Sequence, residues 1–257
     1  PLPFPVNWLV GLIGYLGEPV IFLFYRNTKF MTGSESAKKE LVKLGIPEKN
    51  INIVPHGVIT SNARNSIPAN EKKQKTVSFL GILSRDKGIE GALKCFALLA
   101  ERDSFIFWVI GRAETESYKK HLEALVKTLG LEKKVKFWGF VSQKKKFELL
   151  AKSGVMINPS IREGWGLVNI EANAMGIPVV AYNSLGLTDS VKDGVSGVIV
   201  KRNTPKDLAD TVEWVLSDKT IYKKLSEGAV SWSKEFSWDR SRKISLKVIT
   251  SVIGKWS

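Results

Sequence analysis

Sulfur and imidazole are scarce in this chain: one cysteine and two histidines occur in 257 residues. A lone cysteine excludes an internal disulfide framework. Cys95 lies in the apolar stretch Ala92–Ala100, where it reads as a small buried hydrophobe. His56 and His121 stand apart, and no Cys/His cluster has metal-ligand spacing, so no metal site is expected. There is no internal repeat and no low-complexity segment. A clean membrane-spanning run is also missing. Trp8–Tyr25 is strongly apolar, but Glu18-Pro19 divides it, and a charge near the middle of a span costs about 2.5–3.5 kcal/mol. No basic region precedes the run and no small-residue cleavage site follows it. Two short amphipathic or buried pieces are therefore expected there. Acidic residues are in deficit: 39 Lys and Arg face 25 Asp and Glu, a net charge of +14. Such a surface is solvated or attracts an anionic partner, whether nucleic acid, an anionic membrane or an acidic saccharide. Nucleic acid is set aside, because no recognisable binding motif or interleaved aromatic–basic surface is present.

From about Lys75 onward, short apolar runs alternate with amphipathic helical runs. Strands are predicted at Thr76–Ile82, Phe105–Ile110, Val135–Trp138, Val155–Asn158, Val179–Tyr182 and Gly197–Val200. Helices are predicted at Gly88–Ala100, Thr115–Leu129, Gln143–Ala151, Leu167–Met175 and Pro205–Leu216. Continuous rather than alternating apolar runs belong to strands covered on both faces. The alternation implies an α/β fold: one doubly wound, Rossmann-like parallel sheet. Gly130 and Gly176 are natural left-handed helix caps, and Thr204-Pro205 is an N-cap followed by a first-turn proline. Residues 1–45 carry one further strand, Lys29–Thr32, and a helix, Ser34–Leu44, capped by Ser34. One strand and one helix bury too little surface to stand alone. The expected division is 1–52 as a remnant of a preceding domain, 53–236 as the Rossmann-like domain, and 237–257 as a terminal helix, Trp238–Ile253.

Ligands of such sheets bind beyond the carboxyl ends of the strands. The segment Asn158–Glu171 leaves a predicted strand and opens a helix. Gly164 and Gly166 let its backbone turn tightly and approach a ligand, and the helix start offers unpaired N–H groups to an anion. Glu163 in the loop and Glu171 in the helix can face one cleft. Carboxylates beside a phosphate site are repelled by phosphate and suit hydroxyls, and a nucleotide sugar offers both chemistries. A second loop, Gly81-Ile82-Leu83-Ser84-Arg85-Asp86-Lys87-Gly88, supplies an arginine and a lysine that can neutralise a diphosphate.

Together these residues resemble the retaining GT-B glycosyltransferases of family 4. Glu163 and Glu171 match that family's E-x₇-E motif. The extension Ala172–Ala181, the loop Gly81–Gly88 and the helix Ser34–Leu41 match it as well. The resemblance implies the C-terminal, donor-binding half of a GT-B fold with a remnant of the N-terminal domain. It implies transfer of a sugar from a nucleotide diphosphate donor to a saccharide or lipid-linked acceptor, with retention at the anomeric carbon, no metal and no other cofactor. Glu163 and Lys87 then carry the chemistry. Glu163 contacts the donor sugar and steadies its developing positive charge, while Lys87 binds the diphosphate and stabilises the leaving group. Glu171 binds the ribose. Backbone N–H groups of Trp165, Gly166, Leu167 and Val168 hold the phosphates, and the loop Gly139-Phe140-Val141 sits beside the base. The Trp165 ring either reaches the ligand or only packs the loop.

Two positions depart from the family's pattern. Ile82 stands where an arginine usually follows the first glycine, so Arg85 is the candidate to replace that cation. His56 stands where asparagine is common and reads as a hinge residue. An epimerase or phosphorylase of the same fold, or a non-catalytic nucleotide-sugar module, stays open beside transfer. The expected setting is the cytoplasm, with attachment to the inner face of the membrane, in polysaccharide biosynthesis. Trp8 and Tyr15 are the candidate interfacial anchors, and residues 1–257 alone are expected to bind donor without transferring it.

Overall fold

The computed structural model describes residues 4–58 and 75–254, with side chains from Leu9 onward. It forms two compact units: Pro1–Gly57 with Trp238–Ser257, and Val58–Ser237.

The smaller unit opens with α1 (Phe4–Phe24), a single helix that contains Pro19. The expected pair of short pieces is thus corrected to one continuous helix. An interior proline removes one ladder hydrogen bond and costs about 3 kcal/mol, which kinks a helix as readily as it ends one. The turns on either side keep their own bonds. Leu9, Ile13, Leu16, Val20 and Phe24 are exposed along it, as is Tyr15. The side chain of Trp8 lies outside the described residues. Among the described residues, no helix is long and apolar enough to cross a membrane. Next come β1 (Phe30–Thr32), α2 (Glu35–Lys43) and, after a short 3-10 turn, β2 (Ile51–Ile53). The Ser34 hydroxyl caps α2 by accepting from the Ala37 N–H at 3.1 Å. Strand β2 was not anticipated; it pairs in parallel with β1, Phe30 opposite Ile51. The His56 ring packs on Gly33, where an added Cβ would lie 2.6 Å from its Nε2.

In the larger unit the chain runs β3 (Thr76–Leu80), α3 (Ile89–Arg102), β4 (Ile106–Ile110), α4 (Glu116–Thr128), β5 (Val135–Gly139), α5 (Gln143–Lys152), β6 (Val155–Asn158), α6 (Leu167–Ala174), β7 (Val179–Ala181), α7 (Leu187–Ser190), β8 (Gly197–Ile199), α8 (Pro205–Ser217) and α9 (Lys219–Ser233). All six predicted strands and five predicted helices are present, and α7 and α9 are additional. Helix α9 begins directly after α8 because Asp218 accepts from the N–H groups of Thr220 and Ile221, a strong N-cap. Gly130 and Gly176 adopt left-handed φ values of 66° and 72°, and Thr204 caps α8 with Pro205 in its first turn. The last helix, α10 (Trp238–Ile253), belongs to the smaller unit.

The six strands are parallel, in the order β5-β4-β3-β6-β7-β8. Right-handed crossovers put α3 and α4, joined by α8, on one face and α5, α6 and α9 on the other. Val77, Phe79, Phe96, Phe107, Val155 and Val179 are among the buried side chains between the layers. The chain reverses its direction across the sheet between β3 and β6. That reversal opens a crevice at the carboxyl ends of these two strands, and the loops leaving them are the two singled out above.

Candidate functional site

Three adjacent strands end on glycine at the crevice. Gly81, Gly111 and Gly139 follow or close β3, β4 and β5, with φ of 154°, 142° and 64°. A Cβ on Gly111 would sit 1.8 Å from the Gly81 carbonyl oxygen, so only bare backbone fits there. Above this floor lies a cleft of about 600 Å³, whose walls include Ile82, Arg112, Phe140, Val141 and Lys146. Gly81 and Val141 therefore line one cavity.

The two loops are tied together. The Ile161 N–H donates to the Asp86 carbonyl at 2.8 Å. Gly88, at φ 72°, packs so closely that an added Cβ would lie 2.0 Å from the Pro159 carbonyl oxygen. The Asp86 carboxylate accepts from the Ser84 hydroxyl, and this bond, reinforced by nearby Lys87, holds its pKa below the ordinary carboxylate value. The result places Lys87 beside Glu163, Nζ to Oε2 3.0 Å, with both side chains largely shielded from solvent.

Glu163 is further fixed from below. The Ser160 hydroxyl lies 3.5 Å from its Oε2 and donates to Asn158 Oδ1 at 2.7 Å. Asn158 donates to Asn169 at 2.8 Å, Asn169 to the Ser190 hydroxyl at 2.8 Å, and Ser190 to the Gly186 carbonyl at 3.0 Å. This chain of buried groups links the end of β6 to α6 and α7. Gly186, which sequence patterning did not single out, closes it: at φ 81°, its added Cβ would meet the Glu163 carbonyl oxygen at 2.2 Å. Gly166 has a matching role, since a Cβ there would strike Ser190 Oγ at 2.5 Å. Gly164, by contrast, is exposed and has open space around it.

Helix α6 begins at Gly166 with no capping side chain, so the first-turn N–H groups at Leu167 and Val168 are available to an anion. The Trp165 ring is buried beside Phe236, centroids 4.8 Å apart, and shares a cluster with Ile170 and Trp232. The side chain packs the loop, and its backbone is what remains at the turn. Glu171 lies a turn into α6 and takes a partner that sequence reasoning missed: Lys146 of α5, Nζ to Oε1 2.5 Å.

Arg85 does not join this group. Its side chain is exposed and lies 3.9 Å from Glu90, beside Tyr118 and His121. Glu90 also takes the Tyr118 hydroxyl at 3.1 Å and lies 3.3 Å from His121 Nε2. Burial and the Glu90 carboxylate push the Tyr118 pKa up, which keeps its hydroxyl a donor. Arg112 shares the cleft wall with Ile82, and its carbonyl accepts from the Leu83 N–H at 2.9 Å. Among the described residues no cluster of three or more His, Cys, Asp or Glu could hold a metal ion.

The profile of the glycosyl transferases group 1 family matches residues 61–232, more than half of the chain. The chain belongs to this family. It is 29% identical over 238 residues to an uncharacterized glycosyltransferase of Methanocaldococcus jannaschii, covering 87% of this chain and 60% of that protein. It is 33% identical over 171 residues to the D-inositol 3-phosphate glycosyltransferase of Corynebacterium aurimucosum, covering 64% of this chain and 40% of that one. The chain thus spans roughly half the length of these relatives. Among solved structures it is similar to Anabaena HepE in complex with UDP and glucose, with a TM-score of 0.72 at 19% identity over 91% of this chain and 66% of that one. At that identity the likeness concerns the fold, which is the Rossmann-like half of a GT-B architecture.

Proposed function

We propose that the crevice between β3 and β6 binds a nucleoside diphosphate sugar and serves a retaining, metal-independent glycosyl transfer to a saccharide or lipid-linked acceptor. The observation that carries the reading is the placement of Lys87 on Glu163, with the uncapped start of α6 in the same loop system. A cation, a carboxylate and free N–H groups meet where a parallel sheet receives its ligand. When a diphosphate enters, Lys87 exchanges Glu163 for phosphate oxygens, and the released carboxylate takes sugar hydroxyls. In transfer, the bond from the anomeric carbon to the diphosphate oxygen breaks and its electron pair leaves with the diphosphate. The acceptor oxygen bonds to that carbon, and its proton passes to the departing phosphate. Lys87 stabilises the leaving charge, Glu163 the positive charge developing on the sugar, and Glu171 the ribose. HepE, a neighbour in fold, is seen with UDP and glucose, which supports a nucleotide sugar as donor.

The test is calorimetric titration with UDP, GDP and ADP and with the matching nucleosides. Lys87→Ala should weaken the diphosphate at least tenfold while leaving the nucleoside within about twofold, and the difference should shrink with salt, since the lost interaction is charge on charge. Equal losses for both ligands would assign Lys87 to the fold. A wild-type chain that binds none of these nucleotides would end the reading. A donor site holds only one of two reactants, and rate needs both in register, so residues 1–257 should bind donor without transferring sugar. We place the whole protein on an anionic cytoplasmic leaflet, where each nearby basic residue adds on the order of 1 kcal/mol; the charge of +14 and the exposed apolar face of α1 support that location.

A further inference from the structure

Lys144, Lys145 and Lys146 form a run that reads as a solvated helix face. The structure separates them. Lys144 is exposed, and Lys145, 45% exposed, pairs with Glu148 one turn along. Lys146 alone turns inward: its side chain is only 14% exposed, its partner Glu171 is 16% exposed, and the two meet at 2.5 Å. The same ammonium lies 5.0 Å from the centroid of the buried Phe147 ring, so a carboxylate and an aromatic face hold it together. Lys146 is also part of the wall of the 600 Å³ cleft that begins at Gly81 and runs under Phe140 and Val141. It joins that wall to Glu171.

We infer that Lys146 is a positioning residue of the donor site, and that selection for the hydroxyls of the ribose rests on the Lys146–Glu171 pair rather than on Glu171 alone. The inference deepens the nucleotide-sugar reading and depends on it. A shielded carboxylate is held in one direction by the charge that pairs with it. Glu171 can take hydrogen bonds from ribose hydroxyls only while it is aimed into the cleft. Without Lys146, Glu171 turns away from the cleft, and a hydroxyl loses its acceptor. Nothing in that change touches Lys87, so affinity for the diphosphate portion persists.

The readout is a ratio. UDP and 2′,3′-dideoxy-UDP are titrated against the wild-type chain, or the GDP pair if GDP binds more tightly. Hydrogen bonds to a charged acceptor imply a roughly ten- to hundredfold preference for the ribose form. Lys146→Met, which keeps the stem but not the charge, should compress that preference to within about threefold while the dideoxy ligand binds as before. Lys146→Arg should retain most of it. If Lys146→Met fails to fold, Lys146→Gln, which keeps a polar end but no charge, should show the same compression. A folded Lys146→Met that preserves the wild-type ratio overturns the inference and leaves the donor reading standing. A wild-type chain that binds neither ligand removes both.

Discussion

Gly88 packs against Pro159 across the two loops of the crevice, and replacing it separates the backbone strain of a left-handed residue from the cost of the contact. Gly88 sits at φ 72°, and its added Cβ would lie 2.0 Å from the Pro159 carbonyl oxygen and 2.7 Å from its carbon. Gly130 offers a matched control: φ 66°, with nothing within 4 Å of its Cβ. A left-handed conformation costs a residue with a side chain about 1–2 kcal/mol, so Gly130→Ala should lose that much and no more. An ordinary carbon–oxygen contact is about 3.3–3.6 Å, so in Gly88→Ala the Pro159 carbonyl must retreat by more than an ångström, adding about 1–3 kcal/mol of overpacking. The sum is about 2–5 kcal/mol. At roughly 2–4 °C per kcal/mol for a unit of this size, Tm should fall by about 4–20 °C, against about 2–8 °C for the control. The displaced segment leads directly into Glu163, and a misplacement of an ångström can cost about a hundredfold in a site of this kind. Nucleoside diphosphate affinity should therefore drop in Gly88→Ala and hold in Gly130→Ala. Thermal unfolding followed by circular dichroism, with calorimetry at a temperature where both variants are folded, measures both quantities. Equal destabilisation of the two variants, or an unchanged affinity in Gly88→Ala, would refute the claim that this contact sets the loop.

The lone thiol gives a second expectation. Cys95 is fully buried, and burial pushes its pKa well above the ordinary thiol range, so a thiol reagent should label the folded chain at least about a thousandfold more slowly than the unfolded one; rapid labelling under native conditions would place Cys95 elsewhere. The membrane proposal predicts that the full-length protein sediments with vesicles containing phosphatidylserine, ignores phosphatidylcholine vesicles and is released by salt. Equal sedimentation with both would indicate an apolar patch acting alone, and none with either would remove the membrane from the reading.

The parallel sheet was legible because its strands are covered on both faces. Val155–Asn158 is wholly buried and correspondingly shows an unbroken apolar run. Helix limits followed from local chemistry: Ser34 and Thr204 cap through their hydroxyls, and Gly130 and Gly176 through the left-handed backbone open to glycine. What sequence could not show were features decided at a distance or too short to leave a period. Strand β2 has three residues and α7 has four, fewer than a repeat needs. Pro19 reads as a break, yet a helix with intact turns on either side continues through it. The ring of Trp165 is claimed by Phe236 and Trp232, far along the chain. Residue type supplied Lys87, Glu163 and Glu171, but the partner of Glu171 depended on how α5 lies against α6. Likewise, Arg85 met Glu90 rather than the missing position at Ile82 because it sits on the outer side of the loop.

The glycine-ended strands carry a consequence for how this site can diversify. At Gly111 the floor is bare main chain, since any substituent there would strike the Gly81 carbonyl. A lineage or an engineer seeking a different ligand has nothing to exchange at that position. Change is confined to the rim, at Ile82, Arg112 and Phe140, two of which, Ile82 and Phe140, already present apolar surface to solvent. The depth of the pocket is inherited with the backbone, while its preferences are open to revision one exposed side chain at a time.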